Sequence, residues 1–161
     1  MTGPSAGAPG GEALHRVVYR SEMALVGTAA EVGDEIRAIL AASRRNNAAA
    51  ALTGALLYSG RHFTQVLEGP LDALERTYDR ISADLRHSAF DLVQFVPLQA
   101  RTFGEWGMAY VTPGELDGIW DDRPAFEPSA PLDVEALVAA LRRALAAGER
   151  GVKVDLPRGR S

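Results

Sequence analysis

The chain has 161 residues, of which 47% are hydrophobic and 24% charged, and it carries a formal net charge of −4. This composition describes a globular chain with one substantial core, and the acidic balance argues against nucleic acid as its main partner. The absence of cysteine excludes disulfides, thiolate zinc sites and cysteine nucleophiles. No apolar run is long enough for a membrane span and no basic-then-apolar leader opens the chain, so a cytoplasmic location is expected.

Residues 1–12 are rich in Gly, Pro, Ala, Ser and Thr and read as a disordered tail. Leu14 to Tyr19 is a strand candidate with His15, Val17 and Tyr19 on one face. Thr28-Ala29-Ala30-Glu31 has the pattern of a capping box and opens a helix. Its apolar stripe is Val32, Ile36, Ile39 and Leu40. The same stripe continues into Ser43 and Asn47, so the inward side of this helix turns polar in its last turns. Asn46-Asn47 also suits a helix terminator. Ser43 does not, and a polar ligand competes with that account.

Two strands follow, over Ala50 to Tyr58 and Arg61 to Glu68, joined at Ser59-Gly60. Alternation puts Phe63, Gln65 and Leu67 on one face of the second strand, and His62, Thr64, Val66 and Glu68 on the other. Gln65 is the polar member of an apolar face. Either nearby backbone satisfies it in the core, or it faces a ligand. Gly69-Pro70 reads as a strand break, and Asp72 with Glu75 as the cap of a second helix with the stripe Leu71, Leu74, Tyr78, Ile81 and Leu85. Asp84 lies close to that inward face, near the helix C-terminus, where a negative charge is electrostatically misplaced. Arg86 and His87 close the helix and suit its dipole. A strand over Asp91 to Leu98 carries Pro97, which suggests an edge or a bulge. A last strand over Glu105 to Val111 puts Trp106, Met108 and Tyr110 on one face. After Pro113 the pattern changes, and Asp133 to Ala147 reads as an amphipathic helix with Val134, Leu137, Val138, Leu141 and Leu145 on one side, stopped by Gly148.

The order implies an α+β fold, a ferredoxin-like βαββαβ sandwich with an extra strand and a C-terminal amphipathic helix. In that arrangement the first and third strands are neighbours, which brings Tyr19 beside Gln65. The C-terminal helix is expected to cover the open sheet face or a partner chain. No Gly-rich phosphate loop, nucleophile elbow, kinase or zinc signature is present. Tyr19, Ser43, Asn47, Gln65, Asp84, Arg86, His87, Trp106 and Met108 remain as a dispersed polar and aromatic set. It suits holding a planar, hydrogen-bonding molecule better than hydrolysing one.

Six stretches carry a resemblance: Val18-Tyr19-Arg20-Ser21, Ser43 to Asn47, Leu52 to Tyr58, Phe63-x-Gln65-x-Leu67-Glu68-Gly69, Asp84-x-Arg86-His87 and Phe103-x-x-Trp106-x-Met108. In this order, over about residues 14–111, they resemble the BLUF family, the blue-light sensors using FAD. The resemblance implies that the isoalloxazine lies between the two helices, with its polar edge toward the sheet. It implies that Ser43, Asn46, Asn47, Gln65, Asp84, Arg86 and His87 bind the flavin. Tyr19, Gln65, Trp106 and Met108 are implied to be photoactive, and the chain is expected not to be an enzyme. No metal is expected either, since His15, His62 and His87 lack the close helical spacing of a metal motif. Light-driven electron and proton transfer from Tyr19 is then expected to rearrange the hydrogen bonds of Gln65 and to signal through altered protein contacts. The expected organisation is a tail at 1–12, a flavin-binding domain at 13–112, a helical extension at 113–148 and a flexible tail at 149–161. The expected partners are FAD, further copies of the chain and an unidentified downstream protein, with no membrane. A flavin-dependent oxidoreductase and a light-insensitive interaction module of the same fold are the alternatives.

Overall fold

The computed structural model describes residues 13–22, 25–59, 62–83, 88–116 and 131–151. The expectations for the tail at 1–12, for Gly60 in the hairpin turn, for Asp84, Arg86 and His87, and for residues 152–161 fall outside them. In chain order the elements are β1 (Leu14–Glu22), α1 (Ala29–Ala50), β2 (Thr53–Tyr58), β3 (His62–Pro70), α2 (Leu71–Ser82), β4 (Ser88–Leu98), β5 (Ala109–Val111), a 3-10 turn (Pro113–Leu116) and α3 (Val134–Gly151).

The sheet order is β4-β1-β3-β2-β5. The first four strands pair antiparallel and β5 adds parallel to β2, which gives the expected ferredoxin-like sandwich and its extra strand. Register is fixed by which residues must be buried. Val17, Tyr19, Leu56, Phe63 and Leu67 face α1 and α2, and join Leu40 and Leu74 in one apolar cluster. Val18, Ala55, Leu57, Val66 and Val111 face the other way and pack with Leu137, Val138, Leu141 and Leu145 of α3. The C-terminal helix therefore covers the second face of its own sheet. Gly54 is required where it stands, because a Cβ there would lie 2.0 Å from the carbonyl oxygen of Val66.

Four local readings are corrected. The capping box at α1 is present, with Thr28 Oγ1 accepting from the Glu31 amide and Glu31 Oε1 from the Thr28 amide. No such box starts α2: β3 runs through Gly69 and Pro70, Pro70 is the N-cap without a side-chain bond, and Asp72 accepts from the Ala73 amide and pairs with Arg76 one turn on. Proline suits this place because the chain enters the helix from extended backbone, and Leu71 beside it is surface rather than core. Helix α1 does not stop at Asn46-Asn47. It continues to Ala50 and ends on Ala51 in the left-handed region, whose amide is bonded back into the last turn. Helix α3 likewise runs past Gly148 to Gly151, a glycine in a helix costing only about 1 kcal/mol. Finally, the last strand is only Ala109–Val111: residues 101–108 form no regular ladder and are held by side chains together with a backbone bond from the Gly54 amide to the Trp106 carbonyl at 3.0 Å. Pro97 does lie on an edge strand, β4.

Candidate functional site

Helix α1 is 22 residues long, yet only Leu40 and Asn47 are fully buried in it. Ile36 and Ile39 are half-buried, and Ile39 borders a cavity of about 310 Å³ that lies between α1, α2 and the sheet. The sheet supplies Tyr19, Leu56, Phe63, Gln65 and Leu67 to its wall. Ser43, Asn46 and Asn47 reach it from α1, and Thr77, Arg80 and Ile81 from α2. Since α1 continues through the Asn pair, Asn47 is not a terminator but a buried polar residue aimed inward. Its amide nitrogen donates to the carbonyl of Gly107 at 2.7 Å. Next to it Arg44 donates twice to the carbonyl of Met108, at 3.0 and 2.8 Å.

On the sheet side, Tyr19 and Gln65 face each other in the β1–β3 register. The Tyr19 hydroxyl donates to Gln65 Oε1, and Gln65 Nε2 lies 3.4 Å from Met108 Sδ. Both side chains are buried. The backbone of β3 does not satisfy the Gln65 amide; a phenol and a thioether do, and a sulfur is a weak acceptor. Burial, and then Tyr78, push the Tyr19 phenol far above its ordinary value, so it remains a donor. Its ring stacks on Phe90, with centroids 4.7 Å apart, and meets Tyr78 edge-on. An irregularity in the β1–β4 pairing makes this possible: Val18 pairs with Gln94 but Tyr19 with Leu92. Such a bulge re-aims side chains beside it.

The structure thus brings together Tyr19, Ser43, Asn46, Asn47, Gln65 and Met108. It separates Trp106 from them. Trp106 packs against the α3-side cluster, near Phe103 and under the guanidinium of Arg142, while Met108 joins the Tyr19 side. The expected shared face of Trp106 and Met108 fails because residues 106–108 do not follow strand alternation. Sequence reasoning missed Thr77, Arg80 and Phe90. Thr77 could have been found, since it lies three residues after Leu74 on the inward stripe. Phe90 could not, because its position depends on the pairing irregularity. Among the described residues no helix is long and apolar enough to cross a membrane.

The family model for BLUF, "Sensors of blue-light using FAD", matches residues 14–109. The chain is 35% identical over 113 residues to photoactivated adenylate cyclase subunit beta of Euglena gracilis, a match covering 70% of this chain and 13% of that protein. It is 33% identical over 97 residues to the blue light- and temperature-regulated antirepressor BluF of Escherichia coli (strain K12), covering 59% of this chain and 23% of the other. The chain therefore spans only a small part of these curated relatives. Among solved structures, the dark-state structure of the BLUF protein BlrB superposes with a TM-score of 0.71 at 34% identity, over 83% of this chain and 98% of that one. Motif order, sheet topology and these matches agree: the chain belongs to the BLUF family of blue-light sensors that use FAD.

Proposed function

We propose that the cavity between α1 and α2 holds the isoalloxazine of FAD and that Tyr19 and Gln65 form its light-responsive pair. The observation that carries this reading is the Tyr19 hydroxyl donating to Gln65 Oε1 at the cavity wall. The wall also fits the group: Ile39, Leu56, Phe63, Leu67 and Ile81 offer apolar surface for a flat ring system. Ser43, Asn46, Asn47, Gln65 and Thr77 offer donors and acceptors for a heterocycle with both, and Arg80 adds a cation. Asp84, Arg86 and His87 belong to the proposed site on their motif alone.

Bound FAD supplies absorption of blue light and, once excited, a strong electron acceptor. The chain's own contribution is the hydrogen-bond network. Tyr19 holds its proton firmly in the dark and presents it to one acceptor, Gln65 Oε1. Proton and electron loss at Tyr19, followed by their recovery, gives Gln65 an interval in which its acceptor and donor ends can exchange places. Met108 resists little, since its sulfur is a weak partner for the amide. The outcome is a rearranged network around the same residues. No observation favours an oxidoreductase, and the paired Tyr19 and Gln65 speak against a module that has lost its light response.

The signal leaves, on this reading, through residues 101–108 and α3. This segment touches Gln65 through Met108, is tied to α1 by Arg44 and Asn47, and carries Trp106 under Arg142 of α3. Altered docking of α3 then changes contacts with a second copy of the chain or with a downstream protein in the cytoplasm. The test is absorption under blue light without added reductant. A reversible small red shift is expected in the FAD-loaded protein, and its loss with retained flavin in Gln65→Leu. A normal shift in that variant would remove Gln65 from the function.

A further inference from the structure

The face of the sheet under α3 carries a buried charge cluster that the flavin site does not use. The Arg16 side chain on β1 is only 5% exposed. Its Nη2 lies 2.8 Å from Glu135 Oε2 on the first turn of α3, and its Nε donates to Gln94 Oε1 at 3.1 Å. Glu135 is the sole carboxylate paired with Arg16 among the described residues, and its own side chain is 78% exposed. Opposite Arg16 in the β1–β3 register stands Glu68, which is fully buried. Facing residues of neighbouring strands project to the same side of the sheet, with Cβ atoms roughly 5 Å apart. Glu68 Oε1 accepts from the backbone amides of Thr102 and Phe103, at 2.8 and 2.9 Å. Its Oε2 is buried with no hydrogen-bond partner among the described residues. Arg101, close by, spends its guanidinium on the carbonyls of Ala51 and Glu68 and on Thr53 Oγ1, not on that carboxylate.

We propose that Arg16 is a two-position latch, pairing with Glu135 while α3 is docked and turning to Glu68 Oε2 when α3 lifts from the sheet. The inference rests on the reading that α3 carries the output, and it specifies how that helix has two states. Lifting α3 takes Glu135 from Arg16 and uncovers the guanidinium in part, while Gln94 and Glu68 on the neighbouring strands still flank it, so a replacement partner on the sheet lowers the cost of losing the first. Glu68 makes the second state tolerable by offering an acceptor that no other group among the described residues occupies. It also reports to the output segment, since it holds Thr102 and Phe103 while Arg142 of α3 donates to the Thr102 carbonyl at 2.7 Å. A photon need then shift only the difference between two satisfied arrangements.

A dark-state double-mutant cycle on the FAD-loaded chain tests the latch, with the flavin spectrum as control for folding. Glu135→Ala should speed amide exchange in α3 about tenfold, a value between those of exposed and buried ion pairs. Glu68→Gln keeps an oxygen for the Thr102 and Phe103 amides but replaces the free acceptor with a donor. It should lower the urea midpoint more in the Glu135→Ala background than in the wild type, because Glu68 receives Arg16 only once Glu135 is gone. Equal lowering in both backgrounds, or unchanged α3 exchange in Glu135→Ala, overturns the proposal. Steady blue light on Glu68→Gln forms the second arm: a normal red shift with a reduced rise in α3 exchange is expected, and a full wild-type rise also overturns it. If the wild type itself shifts its spectrum without altering α3, the output reading fails, and the dark cycle still decides the latch.

Discussion

The two faces of one sheet are built from alternating residues of the same strands, yet they are packed to opposite ends. On the α3 side, Val134, Leu137, Val138, Ala140, Leu141, Ala144 and Leu145 of an 18-residue helix are buried against Val18, Leu57, Val66 and Val111. On the other side, the 22 residues of α1 bury Leu40 and Asn47 only. Neighbours such as Val17 and Val18, or Leu56 and Leu57, thus serve different tasks while sharing one backbone. A closed face that is largely apolar, with Arg16 and Glu68 among its buried charges, supplies rigidity at close packing. The other face can then hold polar groups and a cavity without unfolding the domain.

That comparison is broken most severely on the closed side. Leu137→Ala removes a fully buried side chain from the α3 cluster and should cost about 2–5 kcal/mol, the range for truncating a core leucine. Urea unfolding should show the lower midpoint, with flavin colour retained before the transition. An unchanged midpoint would mean that α3 is not part of the folding core.

On the open side the expected loss is in binding. Asn47→Ala takes a buried amide from the cavity wall and leaves the Gly107 carbonyl without its donor. FAD should be held more weakly by roughly 1–3 kcal/mol, the worth of a buried hydrogen-bonding group. Flavin released on dilution and ultrafiltration measures it. Occupancy equal to that of the wild type would show that Asn47 serves only to tie α1 to residues 106–108.

The legibility of the two faces differed as well. Alternation within β3 and helical spacing within α3 are local, so Leu67 against Val66, and Leu137 with Leu141, could be assigned from residue order alone. The Tyr19–Gln65 contact was legible because topology makes β1 and β3 neighbours. The separation of Trp106 from Met108 was not. Residues 106–108 are shaped by long-range side-chain bonds from Arg44 and Asn47, and no periodicity records those. Arg16 and Glu68 escaped for a related reason: a charge at an alternating strand position reads as solvated until the helix that covers it is placed. The start of α2 misled differently, since Asp72 and Glu75 have the spacing of a cap but Pro70 already ends the strand as the N-cap.

The smallest effect sharpens the contrast by chemistry rather than by packing. All four tyrosines, Tyr19, Tyr58, Tyr78 and Tyr110, belong to the α1/α2 side, and none to the α3 cluster. Burial comes first in raising each phenol above its ordinary value of 10, and it pushes Tyr110 up to about 12 with help from Tyr58 and Glu115. The sign follows from proton counting. Above pH 10 the unfolded chain begins to lose phenolic protons that the folded chain retains, so ionisation favours unfolding. The stabilisation is fully present below pH 10 and is lost as pH rises, through about 12 for Tyr110 and beyond that for Tyr19. Lysine, which would otherwise titrate in this window, is represented only by Lys153. The urea midpoint should therefore hold steady from pH 8 to 9 and decline above 10, tyrosine ionisation being the main cause. Tyr110→Phe should flatten the first part of that decline, and Tyr19→Phe the part that persists at higher pH. If both variants declined as steeply as the wild type, the alkaline sensitivity would lie elsewhere, and the polar face would not be the one that alkali opens.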